Sequence, residues 1–205
     1  MTAIEPTAWT GGGYAGTERE LAAESVVDLA HRSAHLLHQH GLRGGGTLAV
    51  VDREGPALPT VLGTLAAWSL GATVTVEVEA ADVALAPTGH AIDADPSGRT
   101  VRYGADPPGE AIGFERHLWG ENPVEPPESV DPATPAIGEG DHAEVGTAAR
   151  TVADAVDADR VTVEGAIDGP AALVAAVAVP VVADLWVGPD GVAIDRAQVE
   201  QALAE

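Results

Sequence analysis

The sequence predicts an α/β protein: two similar helix-strand-helix-strand units form largely parallel sheets covered by helices, with a Pro-rich strand-and-loop insertion between them. Three observations predict it. Apolar residues recur at helical spacing in several stretches, and short apolar runs alternate with those stretches. Residues 47–56 (TLAVVDREGP) and 161–170 (VTVEGAIDGP) each begin as a strand and end in Gly-Pro at the same distance. The 205 residues are 45% hydrophobic, enough for one compact domain, and only 3% are aromatic, so its core is Ala, Val and Leu.

The first unit spans residues 17–78. Residues 20–40 read as an amphipathic helix, with Val26, Leu29, Ala30, Ser33 and Leu37 on one face and Gly41 as its C-cap. A short apolar strand comes next, at 47–51. Pro56 opens a second helix at its first turn, running through Val61, Leu65 and Trp68 to Leu70. Gly71 ends it, and 72–78 read as a strand. The second unit, 141–187, repeats the order: a helix at 143–156, a strand at 160–164, a very apolar helix opened by Gly169-Pro170, and a strand at 183–187.

The connecting segment, 79–140, holds nine of the 15 prolines, which makes most of it irregular chain. Strands are expected at 83–86 and 100–103, on either side of a turn at 93–98. The tail, 191–205, suggests a strand at 192–194 and a helix from Arg196.

All ten basic residues are arginine, against 32 acidic ones, giving a formal net charge of −22. Chemistry that needs a lysine amine, such as Schiff bases or a phosphate-loop lysine, is excluded. With no cysteine, disulfides and thiolate metal sites are excluded too. Self-repulsion at −22 destabilises a compact state unless salt screens it. Abundant acids, no lysine and small apolar residues therefore point to the cytoplasm of a salt-accumulating microbe. The same charge argues against nucleic acid and anionic membranes as partners. Residues 1–13 lack the basic and apolar regions of a signal peptide, and no apolar run reaches membrane-spanning length.

The first unit resembles the N-terminal part of the adenylate-forming superfamily, the AMP-binding acyl-CoA synthetases and ligases. The matching residues are Glu20-Leu21-Ala22, Leu29-Ala30, Leu37, Gly41, Leu48-Ala49-Val50-Val51, Ala66-Ala67 and Gly71-Ala72. Residues 131–137 resemble the strand leading into that family's phosphate loop. Ala143 to Val156, Arg160-Val161-Thr162-Val163, Ala172-Leu173-Val174 and Pro180 resemble the segment just beyond that loop. The departures are pronounced. Where the family has a Ser/Thr/Gly-rich loop ending near a lysine, this chain has Gly138-Glu139-Gly140-Asp141-His142, with two acids, no hydroxyl and no lysine. Carboxylates repel a triphosphate. The resemblance thus implies a truncated remnant without the family's catalytic parts, no catalytic residue to carry over, no cofactor, and a pseudoenzyme.

Among other candidates, His31, His35 and His38 fall at i, i+4 and i+7 on one helix face opposite the apolar stripe, a spacing that can hold zinc or nickel. A solvated polar face with adventitious metal capture is the competing reading. Gly44-Gly45-Gly46 precedes a strand, whereas a dinucleotide loop comes after one. No serine lies in Gly-x-Ser-x-Gly, and the acidic clusters lack EF-hand spacing. Trp68 and Trp186 are expected in the core; Trp119 is a candidate to anchor the Pro-rich segment or line a pocket.

The expected function is binding rather than catalysis: a protein-protein interaction or self-association through an exposed apolar face of helix 171–182. One alternative is a small-ligand sensor holding AMP or an acyl-CoA at the carboxyl ends of the strands, with Arg53 and Arg102 as its cations. A further alternative is one subunit of a split AMP-dependent acyl-CoA ligase.

Overall fold

The computed structural model describes residues 3–16, 19–92, 99–104, 107, 111–123 and 129–204. Among these, the strands fall into two sheets. The larger runs β7-β6-β5-β3-β4-β8-β9: Ile112–Gly113, Thr100–Tyr103, Val83–Pro87, Thr47–Val50, Thr73–Thr75, Pro135–Ile137 and Gly140–Asp141. Its pairings are parallel except β8 with β9. The smaller runs β12-β10-β11-β1-β2: Val192–Ala193, Arg160–Thr162, Trp186–Val187, Gly13–Ala15 and Glu20–Ala22. Only β1 with β2 is antiparallel there.

The repeated order is present. Helix α1 (Ala23–Gln39), β3, α2 (Leu58–Ser69) and β4 make the first unit. Helix α4 (His142–Ala153), β10, the apolar helix and β11 make the second. In each unit the two strands are parallel neighbours. The units contribute to different sheets, and their equivalent strand ends face one another.

Why these residues form these elements is clearest in the interior. Helix α2 packs on β3, β4 and β5 and against α1, and also meets the apolar helix, so ten of its twelve residues are buried. A helix apolar all round is a buried one. Trp68 is fully buried on it and donates from Nε1 to the Ala136 carbonyl at 3.0 Å, pinning α2 to β8. Helix α4 starts on a capping box: the Asp141 carboxylate accepts from the Glu144 amide at 2.8 Å, and the Glu144 carboxylate accepts from the Asp141 amide at 3.1 Å. The last helix, α7 (Arg196–Leu203), is capped by Asp195 and buries Val199 against the body.

Several expectations need correction. Residues 20–22 are not helix: Leu21 pairs with Tyr14 in an antiparallel ladder, and α1 begins at Ala23. Helix α2 begins after Ala57, with Pro59 rather than Pro56 in its first turn. The apolar helix has three parts, α5 (Pro170–Leu173), a π turn (Val174–Ala178) and α6 (Val179–Ala183). Pro180 has no N–H to return to the preceding turn, and the wider π turn sits just before it.

This helix does not present an apolar face. Residues 171–181 are buried, because α4, α7, α2 and the turn Pro6–Ala8 pack around them. The turn expected at 93–98 lies outside the described residues. Trp186 is half-buried, with Arg160 5.6 Å from its ring centroid, and Trp119 is 61% exposed. No helix among the described residues is long and apolar enough to cross a membrane.

Candidate functional site

The parallel strands of both sheets run out at one place. There the chain after β3 meets that after β10, and between them lies a cleft of about 580 Å³. The first sheet supplies Asp52, Arg53, Pro87 and Tyr103; the second supplies Tyr14, Thr162, Val163 and Pro189. The carboxyl edge of a parallel sheet is where helices begin and loops are free to vary, and the volume falls in the range of small-molecule sites.

Asp52 organises the floor. It is a buried carboxylate, and main-chain and side-chain donors surround it. One oxygen, Oδ2, accepts from the Ala57 amide at 2.8 Å and from the Thr60 hydroxyl at 2.7 Å; Oδ1 accepts a long bond from the Glu54 amide at 3.3 Å. Asp52 thus ties the Ala57 amide just before α2 and the Thr60 hydroxyl in its first turn to the end of β3, and a negative charge beside a helix start is also favoured by the helix dipole. The Asp52 main chain bridges to the segment that follows β10, its carbonyl accepting from the Ile167 amide at 2.9 Å.

Two phenols stand over this carboxylate. Tyr103 donates to the Val51 carbonyl at 2.7 Å. Burial raises its pKa far above the ordinary tyrosine value, and the charge of Asp52 adds to the rise. Burial also raises Tyr14, opposed by a Leu58 backbone hydrogen bond and assisted by Asp52. Both phenols remain neutral hydrogen-bonding groups at any physiological pH. Exposed Arg53 and Glu54 flank the cleft, carrying opposite charges.

The expected pair of arginines divides. Arg53 lines the cleft. Arg102 does not; its guanidinium donates to the Pro87 and His90 carbonyls at 3.3 and 2.8 Å, bracing the cleft wall from behind. On α1, His31 is buried, His35 half-buried and His38 exposed, so the three are not a common solvated face. Helix α1 contacts α2, α3 (Phe114–Leu118), β1 and β2, which covers more of its circumference than a single apolar stripe. Among the described residues, no three His, Cys, Asp or Glu side chains gather as a metal site. In the stretch 138–142, residues 138–139 form a tight turn between β8 and β9, with Gly138 at φ 57°, and β9 runs straight into the capping box of α4.

Sequence reasoning missed Asp52, Tyr14 and Tyr103. The signal for Asp52 was present: an Asp between an apolar strand and a Gly-Pro helix start. Tyr14 and Tyr103 come from strands far apart in sequence, and no local pattern links them.

No protein-family model matches the chain, and no curated protein matches it. Solved structures do. An acyl-CoA synthetase of Brucella canis superposes on 92% of this chain and 42% of its own, with a TM-score of 0.74 and 15% identity. ATP-bound MatB of Rhodopseudomonas palustris covers 92% of this chain and 45% of its own, at a TM-score of 0.69 and 13% identity. The N-terminal domain of FACL13 from Mycobacterium tuberculosis covers 99% of this chain and 60% of its own, at 0.66 and 15%. The chain has the α/β fold of the N-terminal part of acyl-CoA ligases and spans about half the length of these structures.

Proposed function

We propose that this chain is a small-ligand-binding protein on an acyl-CoA ligase fold, holding its ligand in the cleft between the two sheets and performing no adenylation by itself. The single observation that carries this reading is the cleft at the joint carboxyl edge of both sheets, floored by Asp52 and flanked by Arg53. The absence of lysine supports the non-adenylating part, since no ammonium from this chain reaches a phosphate. So does the capping box, in which both carboxylates of residues 141 and 144 already serve helix α4 where the family has its phosphate loop. Interaction through the apolar helix moves to second place, because that helix is covered by its own chain. The composition supports a working environment of molar salt inside the cell.

The solved relatives suggest which ligands to try: one is described as ATP-bound, and an anthranilate CoA ligase of the same fold is described in complex with anthranoyl-AMP. Thermal unfolding in molar KCl with ATP, AMP, CoA and acetyl-CoA, added singly, tests the proposal. A ligand at a hundred times its dissociation constant stabilises by about 2.7 kcal/mol. A shift with one of them, lost in Arg53→Gln, is the expected result. No shift with any member of the panel overturns it for this ligand class.

A further inference from the structure

The C-terminal helix α7 is bonded to the chain that leads away from the cleft wall. Arg196, the first residue of α7, donates from Nη2 to the Glu164 carbonyl at 2.5 Å and the Ala166 carbonyl at 2.7 Å. Its Nη1 donates to the Asp168 carboxylate at 2.8 Å. The guanidinium therefore gathers three points of the segment that leaves β10. That segment starts at Val163 in the cleft wall and includes Ile167, which bonds across to Asp52. It also includes Gly165, at φ 76°, where a side chain would approach Arg196 Nη2 at 3.8 Å. On its other side the segment lies against the first unit: a side chain at Gly55 would come within 3.5 Å of the Val163 carbonyl and 3.9 Å of that of Gly165.

Local backbone bonding within this segment is sparse, so its path depends on what holds it. The Asp52–Ile167 contact is an isolated bridge outside the sheets. A planar fork of donors suits two carbonyls and a carboxylate together. Because the Asp168 side chain is 69% exposed, the Coulombic part of its pair with Arg196 is weak.

We propose that Arg196 is the positioning residue of the cleft: it fixes the chain from Glu164 to Asp168 so that the Asp52–Ile167 bridge stays closed, and the docking of α7 thereby sets ligand affinity. The affinity consequence rests on the ligand-binding reading above; the latch itself does not.

Amide hydrogen exchange by NMR in molar KCl separates the two. In Arg196→Gln the Ile167 amide should exchange about tenfold faster than in the natural protein, the signature of local opening. The Val51 amide, bonded to the Leu85 carbonyl inside the larger sheet, should be unchanged. Arg196→Lys, which keeps a charged donor, should restore much of the Ile167 protection, and Asp168→Ala should leave most of it intact. Unchanged Ile167 protection in Arg196→Gln, or equal loss at Ile167 and Val51, overturns the latch. AMP and acetyl-CoA, titrated against the same variants, should bind Arg196→Gln about tenfold more weakly; equal affinity overturns the affinity consequence. If neither probe stabilises the natural protein, the ligand reading fails while the exchange measurement still decides the latch.

Discussion

The Asp52 carbonyl accepts a hydrogen bond from the Ile167 amide at 2.9 Å, and this bond joins the two repeated segments of the chain. One lies in residues 47–56, the other in residues 161–170. Each leaves a parallel strand and turns into a helix. Their crossing brings two carboxyl edges together, and the cleft is the space left between them.

Removing the Asp52 side chain should therefore cost stability as well as any binding. Asp52→Ala leaves the buried Thr60 hydroxyl and the Ala57 amide without their acceptor. A loss of about 2–3 kcal/mol is expected. In a chain of this size that lowers Tm by roughly 5–10 °C. Asp52→Asn keeps one acceptor oxygen and should lose less. Denaturant titration of both variants in molar KCl checks the order, and equal stabilities would contradict the anchoring of Ala57 and Thr60 by this carboxylate.

His142 should give the protein an acid limit. It is fully buried against the edge of Trp68, with ring centroids 6.0 Å apart, and neither ring nitrogen has a partner in bonding geometry. Burial lowers its pKa from 6.5 to about 4, outweighing the Asp141 carboxylate and the nearby Ile4 main chain, which both favour the charged form. A lowered folded-state pKa means that the fold prefers the neutral ring. The preference is fully expressed above pH 6.5 and is lost as pH falls from there to about 4. It amounts to roughly 3 kcal/mol. His142→Phe should flatten this limb of the stability-pH curve while keeping the Trp68 contact. The same acid loss in the variant would assign it to other groups.

The helices and buried parallel strands were legible where burial was governed by local pattern. The apolar runs at 47–51 and 83–86 are strands to within a residue, because strands covered on both faces read as continuous apolar segments. Residues 20–22 misled for the opposite reason. Glu20-Leu21-Ala22 continues the helical spacing of α1, yet it pairs antiparallel with Gly13–Ala15 and the ladder wins. Trp9 was equally illegible: it is 2% exposed in a segment rich in glycine and threonine, and only tertiary packing buries it. The covering of the apolar helix likewise depends on α4 and α7, whose positions no local rule fixes. Of the cleft, Arg53 was readable as a cation beside a strand end. The convergence of Tyr14 with Tyr103 was not, since it depends on which sheet each strand joins.

Stability should rise steeply with KCl. The net charge is −22, and only two ion pairs with arginine occur among the described residues, Arg160–Glu20 and Arg196–Asp168. Other arginines serve carbonyls instead: Arg32 donates to Glu121, Arg43 to His38 and Arg150 to Gly146. Most acids among the described residues thus have no arginine ion-pair partner, and their mutual repulsion is left for salt to screen. Raising KCl from about 0.1 M to about 1 M shortens the Debye length from about 10 Å to about 3 Å and removes most of that repulsion. Tm should climb over this range and then level off. A flat profile would show that the charge is already balanced within the fold; a climb continuing unabated with sulfate would point to strengthened apolar burial.

Asp184 should tolerate substitution in an unusual order. It ends the apolar helix in the left-handed region, at φ 54°, the one described non-glycine residue with positive φ. Its carboxylate accepts from the Thr10 amide at 2.8 Å and the Gly11 amide at 2.7 Å, which fixes the chain entering β1. Two effects compete at this position. A residue without the carboxylate loses bonds worth about 1 kcal/mol in this exposed setting. A residue with a Cβ and no local hydrogen bond bears the left-handed conformation at a cost of about 1–2 kcal/mol. Asp184→Asn keeps an acceptor and tolerates the conformation, so it should be the mildest change. Asp184→Gly loses the acceptor but is free in φ, and Asp184→Ala suffers both losses. The expected order of Tm is therefore Asn above Gly above Ala. Gly above Asn would mean that backbone strain, rather than the hold on Thr10 and Gly11, dominates; Ala equal to Gly would mean that the left-handed turn carries no cost.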